Sequence, residues 1–154
     1  MELDGGLRLR RPMAVEPLAV YERRGDGHTV SRHCGTTPQA EAQRLREHPW
    51  LPATGSFPDV ATAQRCVETC VALNRAKVER WRRGGRPRLA IGVTMDEVIG
   101  NELRRDRWEV GRPPLPATSV RVVLKRHRGY RSGFAVLTAY PVNQNGRHPL
   151  SIHP

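Results

Sequence analysis

Apolar positions along the chain change their period once, near residue 85, and that change divides the sequence. Before it they recur three and four apart, the spacing of one helix face. Thr37 followed by Pro38 predicts an N-cap with proline in the first helical position, opening a helix over about 38–47 that Pro49 closes. A longer helix is expected over about 58–82, with Ser56 and Asp59 as a capping box and Pro58 in the first turn. Ala63, Val67, Cys70, Val71, Val78 and Trp81 form its apolar stripe, and Gly84-Gly85 ends it. Leu18 and Tyr21, three apart, suggest a short helix over 17–22 before the break at Gly25-Asp26-Gly27.

Beyond residue 85 the pattern is that of strands. Leu89 to Val93 is a short apolar run, and residues 98–103 fit either a helical turn or a strand. Val120, Val122 and Leu124 alternate with their neighbours, and residues 133–140 alternate more fully, joined through 126–131 as a hairpin. Helices first and sheet after predict an α+β fold, with N-terminal helices packed on a C-terminal antiparallel sheet. The expected domain covers 16–145, flanked by tails at 1–15 and 146–154.

Charge narrows the class. With 154 residues the chain suits one domain, and its formal net charge of +11 favours an acidic partner such as nucleic acid. Lys77 and Lys125 are the only lysines; arginine forks match phosphate at two points, although a GC-rich coding sequence accounts for arginine in place of lysine equally well. Codon bias does not produce the excess of positive over negative charge. No apolar run is long enough to cross a bilayer, and no apolar core follows the charged residues 1–11 as in a signal peptide. Cys34, Cys66 and Cys70 are too few and too oddly numbered for a disulfide framework, and without partners at ligand spacing they read as small buried residues rather than a metal site. No cofactor is expected.

Two segments carry chemistry. Strict alternation places Phe134, Val136, Thr138 and Tyr140 on one strand face, and Ala135, Leu137 and Ala139 on the other. Upstream, His28 and His33 stand five apart just before Gly35 and the helix start at Thr37, with Arg44 two turns into that helix. Histidine can take up and release a proton near neutrality, and a helix start offers amides to an anion. That combination suits a phosphodiester, whereas each histidine alone reads equally well as a surface or capping residue.

In order and spacing, His28-Thr29, His33-x-Gly35-x-Thr37, Arg44-Leu45, Ser56-Phe57 before a long helix, and the closing Val136-Leu137-Thr138-Ala139-Tyr140-Pro141 resemble the bacterial RNase A-like toxin domains of contact-dependent growth inhibition proteins. The resemblance spans about 16–141. It implies an RNase A-like fold without disulfides and a metal-independent endoribonuclease that leaves 2′,3′-cyclic phosphate ends. It places the catalytic set at His33, Arg44, Thr138 and Tyr140, with His28 in support; by charge, Lys125 and Arg126 are expected to bind the substrate. His33 would handle protons, Arg44 the phosphorane charge, Thr138 orientation, and Tyr140 the phosphate or a second proton. RNA, with tRNA among the candidates, and an acidic immunity protein follow as partners; DNA and membrane do not. Delivery by a toxin system and action in the target-cell cytoplasm follow too. Thr36 stands where the family often has lysine, and Tyr21 where many members have histidine. Two rival readings exist: a basic RNA-binding protein without catalysis, which the charge and arginine content fit equally well, and a decayed toxin kept as an interaction module.

Overall fold

A computed structural model describes residues 13–144; most of the N-terminal tail and the C-terminal tail inferred above lie outside them. The helical part begins with α1 (Leu18–Arg23), α2 (Thr29–His33) and α3 (Pro38–Glu47). The Thr37 hydroxyl accepts from the Ala40 amide at 3.1 Å, so α3 starts where Thr37-Pro38 predicted. One amide of the expected anion-binding helix start is therefore satisfied from within.

Next comes β1 (Ala53–Ser56), a strand that the Pro-Ala-Thr-Gly-Ser stretch did not suggest. Its Gly55 lies so close to β6 (Phe134–Val142) that an added Cβ would stand 2.5 Å from the Pro141 carbonyl oxygen. Ser56 ends this strand rather than capping a helix, its hydroxyl accepting from the Thr36 amide at 3.1 Å. The cap is Asp59, whose carboxylate accepts from the Thr62 amide at 2.7 Å. The expected single long helix is two: α4 (Val60–Leu73) and α5 (Arg75–Arg83). Asn74 separates them because its amide nitrogen donates to the Cys70 carbonyl at 2.8 Å and to the Gly92 carbonyl at 3.1 Å. A side chain that bonds nearby backbone competes with helix continuation, and here it also ties the turn to the sheet.

The remaining elements are β2 (Arg88–Thr94), β3 (Gly100–Arg104), the short α6 (Arg105–Trp108), β4 (Leu115–Ala117) and β5 (Ser119–Arg126), followed by β6. Residues 98–103 thus resolve mainly as strand. Two antiparallel sheets form, ordered β2-β5-β6 and β1-β3-β4. The class is α+β, with one strand of the second sheet drawn from between the helices.

α1, α4 and α5 cover one face of the β2-β5-β6 sheet. Val67, Cys70, Val71, Val78 and Trp81 pack there with Ile91, Val122, Leu124 and Val136. Cys66 and Cys70 are fully buried in this core, and the three cysteines are free. Pairing slips at Leu137: Val123 opposes Thr138, while Leu124 opposes Val136. This bulge overturns the strict alternation expected for β6. Val136 faces the core, and past the extra residue Ala139 does so, leaving Thr138 and Tyr140 on the uncovered face.

Arg126 belongs to the scaffold. Its guanidinium donates to the Arg86 and Arg82 carbonyls at 2.8 Å each and to those of Trp81 and Gly84, closing the C-terminus of α5. It also stacks over the Trp81 ring at 5.0 Å. Arg126→Ala is expected to lower unfolding free energy by about 1–3 kcal/mol, the cost of stranding hydrogen-bonded carbonyls. Urea denaturation checks this, and an unchanged midpoint would contradict the capping role.

Candidate functional site

The uncovered face of the β2-β5-β6 sheet forms one wall of a cleft of about 580 Å³. Arg121 and Val123 project from β5, and Thr138 and Tyr140 stand opposite them on β6. Gly92 on β2, opposite Arg121, adds no side chain to this wall. His28, Arg32, His33, Arg44 and Thr54 close the other side. The cleft therefore joins His33, Arg44, Thr138 and Tyr140, with His28 beside them.

His33 ends α2 with only 4% of its surface exposed. Its Nδ1 lies 2.8 Å from the Gly55 carbonyl oxygen, which can only accept. Nδ1 therefore carries the proton in the neutral ring, and Nε2 keeps its lone pair. The same Gly55 whose missing side chain lets β1 approach Pro141 thus presents its carbonyl to the ring edge of His33. The His33 ring lies 5.5 Å from Tyr140 and 6.1 Å from His28, centroid to centroid. Burial drives the His33 pKa down to about 3, and the Arg44, His28 and Arg32 charges press it the same way against the Gly55 hydrogen bond. Burial likewise lowers His28 to about 4, helped by Arg32 and Arg44.

Arg44 Nη1, Thr54 Oγ1 and Thr138 Oγ1 line this cleft and are buried without a hydrogen-bond partner among the described residues. Leaving such groups unpaired costs about 1–3 kcal/mol each, and donors gathered in one cleft suit a ligand rich in acceptor oxygens. The walls carry Arg32, Arg44, Arg88, Arg121 and Lys77 against the carboxylate of Glu102, which accepts from Arg104 at 2.9 Å. Burial lowers the pKa of Arg44, as does the nearby Arg32, while Glu41 opposes the shift. An anion entering this field gains from the five cations, opposed by Glu102, which is itself paired with Arg104.

Lys125 and Arg126 lie outside the lining of this cleft. The Lys125 ammonium pairs with Asp26 at 3.3 Å, where the Tyr130 hydroxyl also donates at 2.6 Å. Thr36 is outside it too; its hydroxyl donates to Glu41 at 3.3 Å in a neighbouring cavity. Tyr21 is a core residue, packed edge-on against Tyr130 at 5.1 Å, its hydroxyl accepting from the Glu16 amide.

Sequence reasoning missed Thr54, Arg32 and Arg121. Arg121 had a readable signal, as the lone charge inside the run Val120 to Leu124. Thr54 had none, since its strand was not foreseen.

The two buried histidines set an acid limb of stability. Both titrate near 6.5 when unfolded and well below it when folded. Below pH 6.5 the unfolded chain binds protons that the native state does not, so stability falls with acidity by up to about 1.4 kcal/mol per pH unit for each histidine. Glu41 acts oppositely: burial raises its pKa from 4.5 to about 7, and across that window stability falls as pH rises. The fall toward acid is therefore expected to steepen below about pH 4.5, where Glu41 no longer offsets the histidines. Urea midpoints from pH 7 to 4 check this; His28→Gln should remove part of the slope, and a flat profile would refute it.

The sequence profile of the bacterial CdiA-CT RNase A domain matches residues 27–141, a span that contains His28, His33, Arg44, Thr54, Thr138 and Tyr140. The crystal structure of a CdiA-CT/CdiI complex from Y. kristensenii 33638 contains a chain with a similar fold, at a TM-score of 0.67. The match covers 76% of this chain and 100% of that one, at 24% identity. No curated protein matches the chain.

Proposed function

The chain belongs to the bacterial CdiA-CT RNase A domain family, and from that premise we propose that it is a toxin cleaving RNA by metal-independent transphosphorylation. The carrying observation is His33, with Nδ1 engaged by Gly55 and a lone pair left on Nε2, in a cleft whose buried donors lack partners.

Nε2 of His33 takes the proton of a ribose 2′-hydroxyl. The 2′-oxygen attacks the adjacent phosphorus, the bond to the 5′-oxygen breaks, and a 2′,3′-cyclic phosphate forms. Arg44 Nη1, Thr138 Oγ1 and Thr54 Oγ1 donate to the phosphorane oxygens, where preorganised donors act most strongly. Tyr140, beside His33, supplies the proton taken up by the leaving 5′-oxygen, and the proton held by His33 then passes through solvent to restore the Tyr140 hydroxyl. A simple RNA-binding protein has no need of a buried neutral imidazole among unsatisfied donors.

The test is incubation of tRNA and rRNA with purified protein in excess EDTA. Cleavage leaving cyclic phosphate ends, with DNA of the same sequence intact, is expected. Loss of cleavage in EDTA would overturn the metal-free reading, and cutting of DNA would remove the role of the 2′-hydroxyl.

A toxin of this kind needs a neutralising partner, and the cationic cleft favours an acidic one. The structurally similar chain belongs to a CdiA-CT/CdiI complex, which supports an immunity protein here as well. Such a partner is expected to abolish RNA cleavage at equimolar ratio; undiminished cleavage in the complex would place it elsewhere. Action in the cytoplasm of a target cell belongs to the same reading, and no described helix is long and apolar enough to cross a membrane.

A further inference from the structure

A second cavity of about 580 Å³ adjoins the cleft and takes no part in the chemistry above. The two share Arg32, Arg44, Leu51 and Thr54 as a common wall. A nucleotide chain whose phosphate sits on Arg44 can therefore place a neighbouring base in this cavity.

Trp50 lines it with 72% of its surface exposed, more than any other large apolar side chain among the described residues. The His48 ring stands edge-on to the indole at 5.0 Å, so the ring has a fixed neighbour while most of its surface meets water. Glu41 lines the same cavity at 2% exposure. Its Oε1 accepts from Thr36, while Oε2 is buried with no partner among the described residues. The cavity thus combines a stacking surface with an unfilled carboxyl acceptor.

We propose that this cavity is a base subsite for the nucleotide next to the scissile phosphate, with the base stacked on Trp50 and its N–H donors read by Glu41. The proposal rests on the ribonuclease reading of the adjoining cleft. Stacking tolerates any base, because every base has a π face. The carboxyl does not: guanine presents two adjacent N–H donors on its Watson–Crick edge, uracil one, so guanine fits best. Donors arriving at Oε2 would also offset the desolvation that pushes the Glu41 carboxyl up to about 7, and so favour its ionised, accepting form. The neighbouring Gln43 and Glu47 are already bonded to each other at 2.9 Å, which leaves Glu41 as the reader.

The test uses labelled 2′-deoxy oligonucleotides, which lack the attacking hydroxyl and cannot be cut. Dinucleotides are compared with trinucleotides carrying guanine or uracil at either end, by fluorescence anisotropy. In wild type, one added guanine is expected to tighten binding, more than uracil does. Trp50→Ala should lose roughly 5- to 150-fold of the gain, the range of base–aromatic stacking, while Trp50→Phe keeps most of it. Glu41→Gln should erase the preference for guanine over uracil while leaving the stacking gain. Equal gains in wild type and Trp50→Ala would overturn the subsite, and an unchanged guanine preference in Glu41→Gln would overturn its reader. If this binding pattern holds but wild type cuts no RNA, the ribonuclease reading fails and the subsite stands.

Discussion

His33→Ala is expected to reduce RNA cleavage by about a hundred- to ten-thousandfold, the usual contribution of a positioned general base. The expectation follows from its hydrogen bonding. Gly55 fixes the tautomer from one side, so the lone pair on Nε2 is the site left for substrate. Burial and the arginines around it keep the ring neutral, which a base requires and an acid does not. The acid limb of kcat/KM should therefore lie below the ordinary histidine value of about 6.5. His33→Gln is the informative companion, because its side-chain amide can still donate to Gly55 and so spares the fold. Equal loss in both variants, with unchanged circular dichroism, would assign the loss to chemistry. Cleavage within threefold of wild type in His33→Gln would transfer the base role to His28, whose ring lies 6.1 Å away.

How much of this was legible in the sequence depended on whether the cause was local. Thr37 and Pro38 announce the start of α3 because capping is a matter of a few adjacent residues. The β5–β6 hairpin reads from alternation alone. The Leu137 bulge does not: one extra residue changes which side chains share a face, and only pairing with β5 reveals it. The identity of Thr138 and Tyr140 as site residues came through the family motif, although the face assigned to Val136 beside them was wrong. Asn74 splits a continuous apolar stripe because its amide meets the Gly92 carbonyl, eighteen residues away. β1 forms from residues with no strand pattern of their own, since what holds it is pairing with β3 and the approach of Pro141. With that strand unseen, neither Thr54 nor the carbonyl that orients His33 could be placed. Arg126 looked like a phosphate ligand because sequence gives its charge but not its four carbonyl partners.

Arg44→Ala carries the second large effect, an expected loss of about a hundred- to a thousandfold in cleavage, as for other preorganised donors to a developing oxyanion. Arg44→Lys should fall between, keeping the charge but not the planar fork. The pH profile separates this role from a structural one. Arg44 is among the charges that hold both histidines down, so its removal lets their pKa values rise. The acid limb of kcat/KM should then move to higher pH in Arg44→Ala, whereas a merely misfolded cleft would lose activity evenly across pH. Stability should not follow activity. Nη1 is buried without a partner, and the cation sits near Arg32 in a field that already disfavours it. Removing it relieves that cost, so the thermal midpoint of Arg44→Ala is expected to match or exceed wild type, as happens where a site holds strain for the sake of its ligand. Full cleavage with an unmoved acid limb in Arg44→Ala would shift the phosphate cradle to Arg32, Arg88 and Arg121, the other arginines that line the cleft alongside His33 and Tyr140.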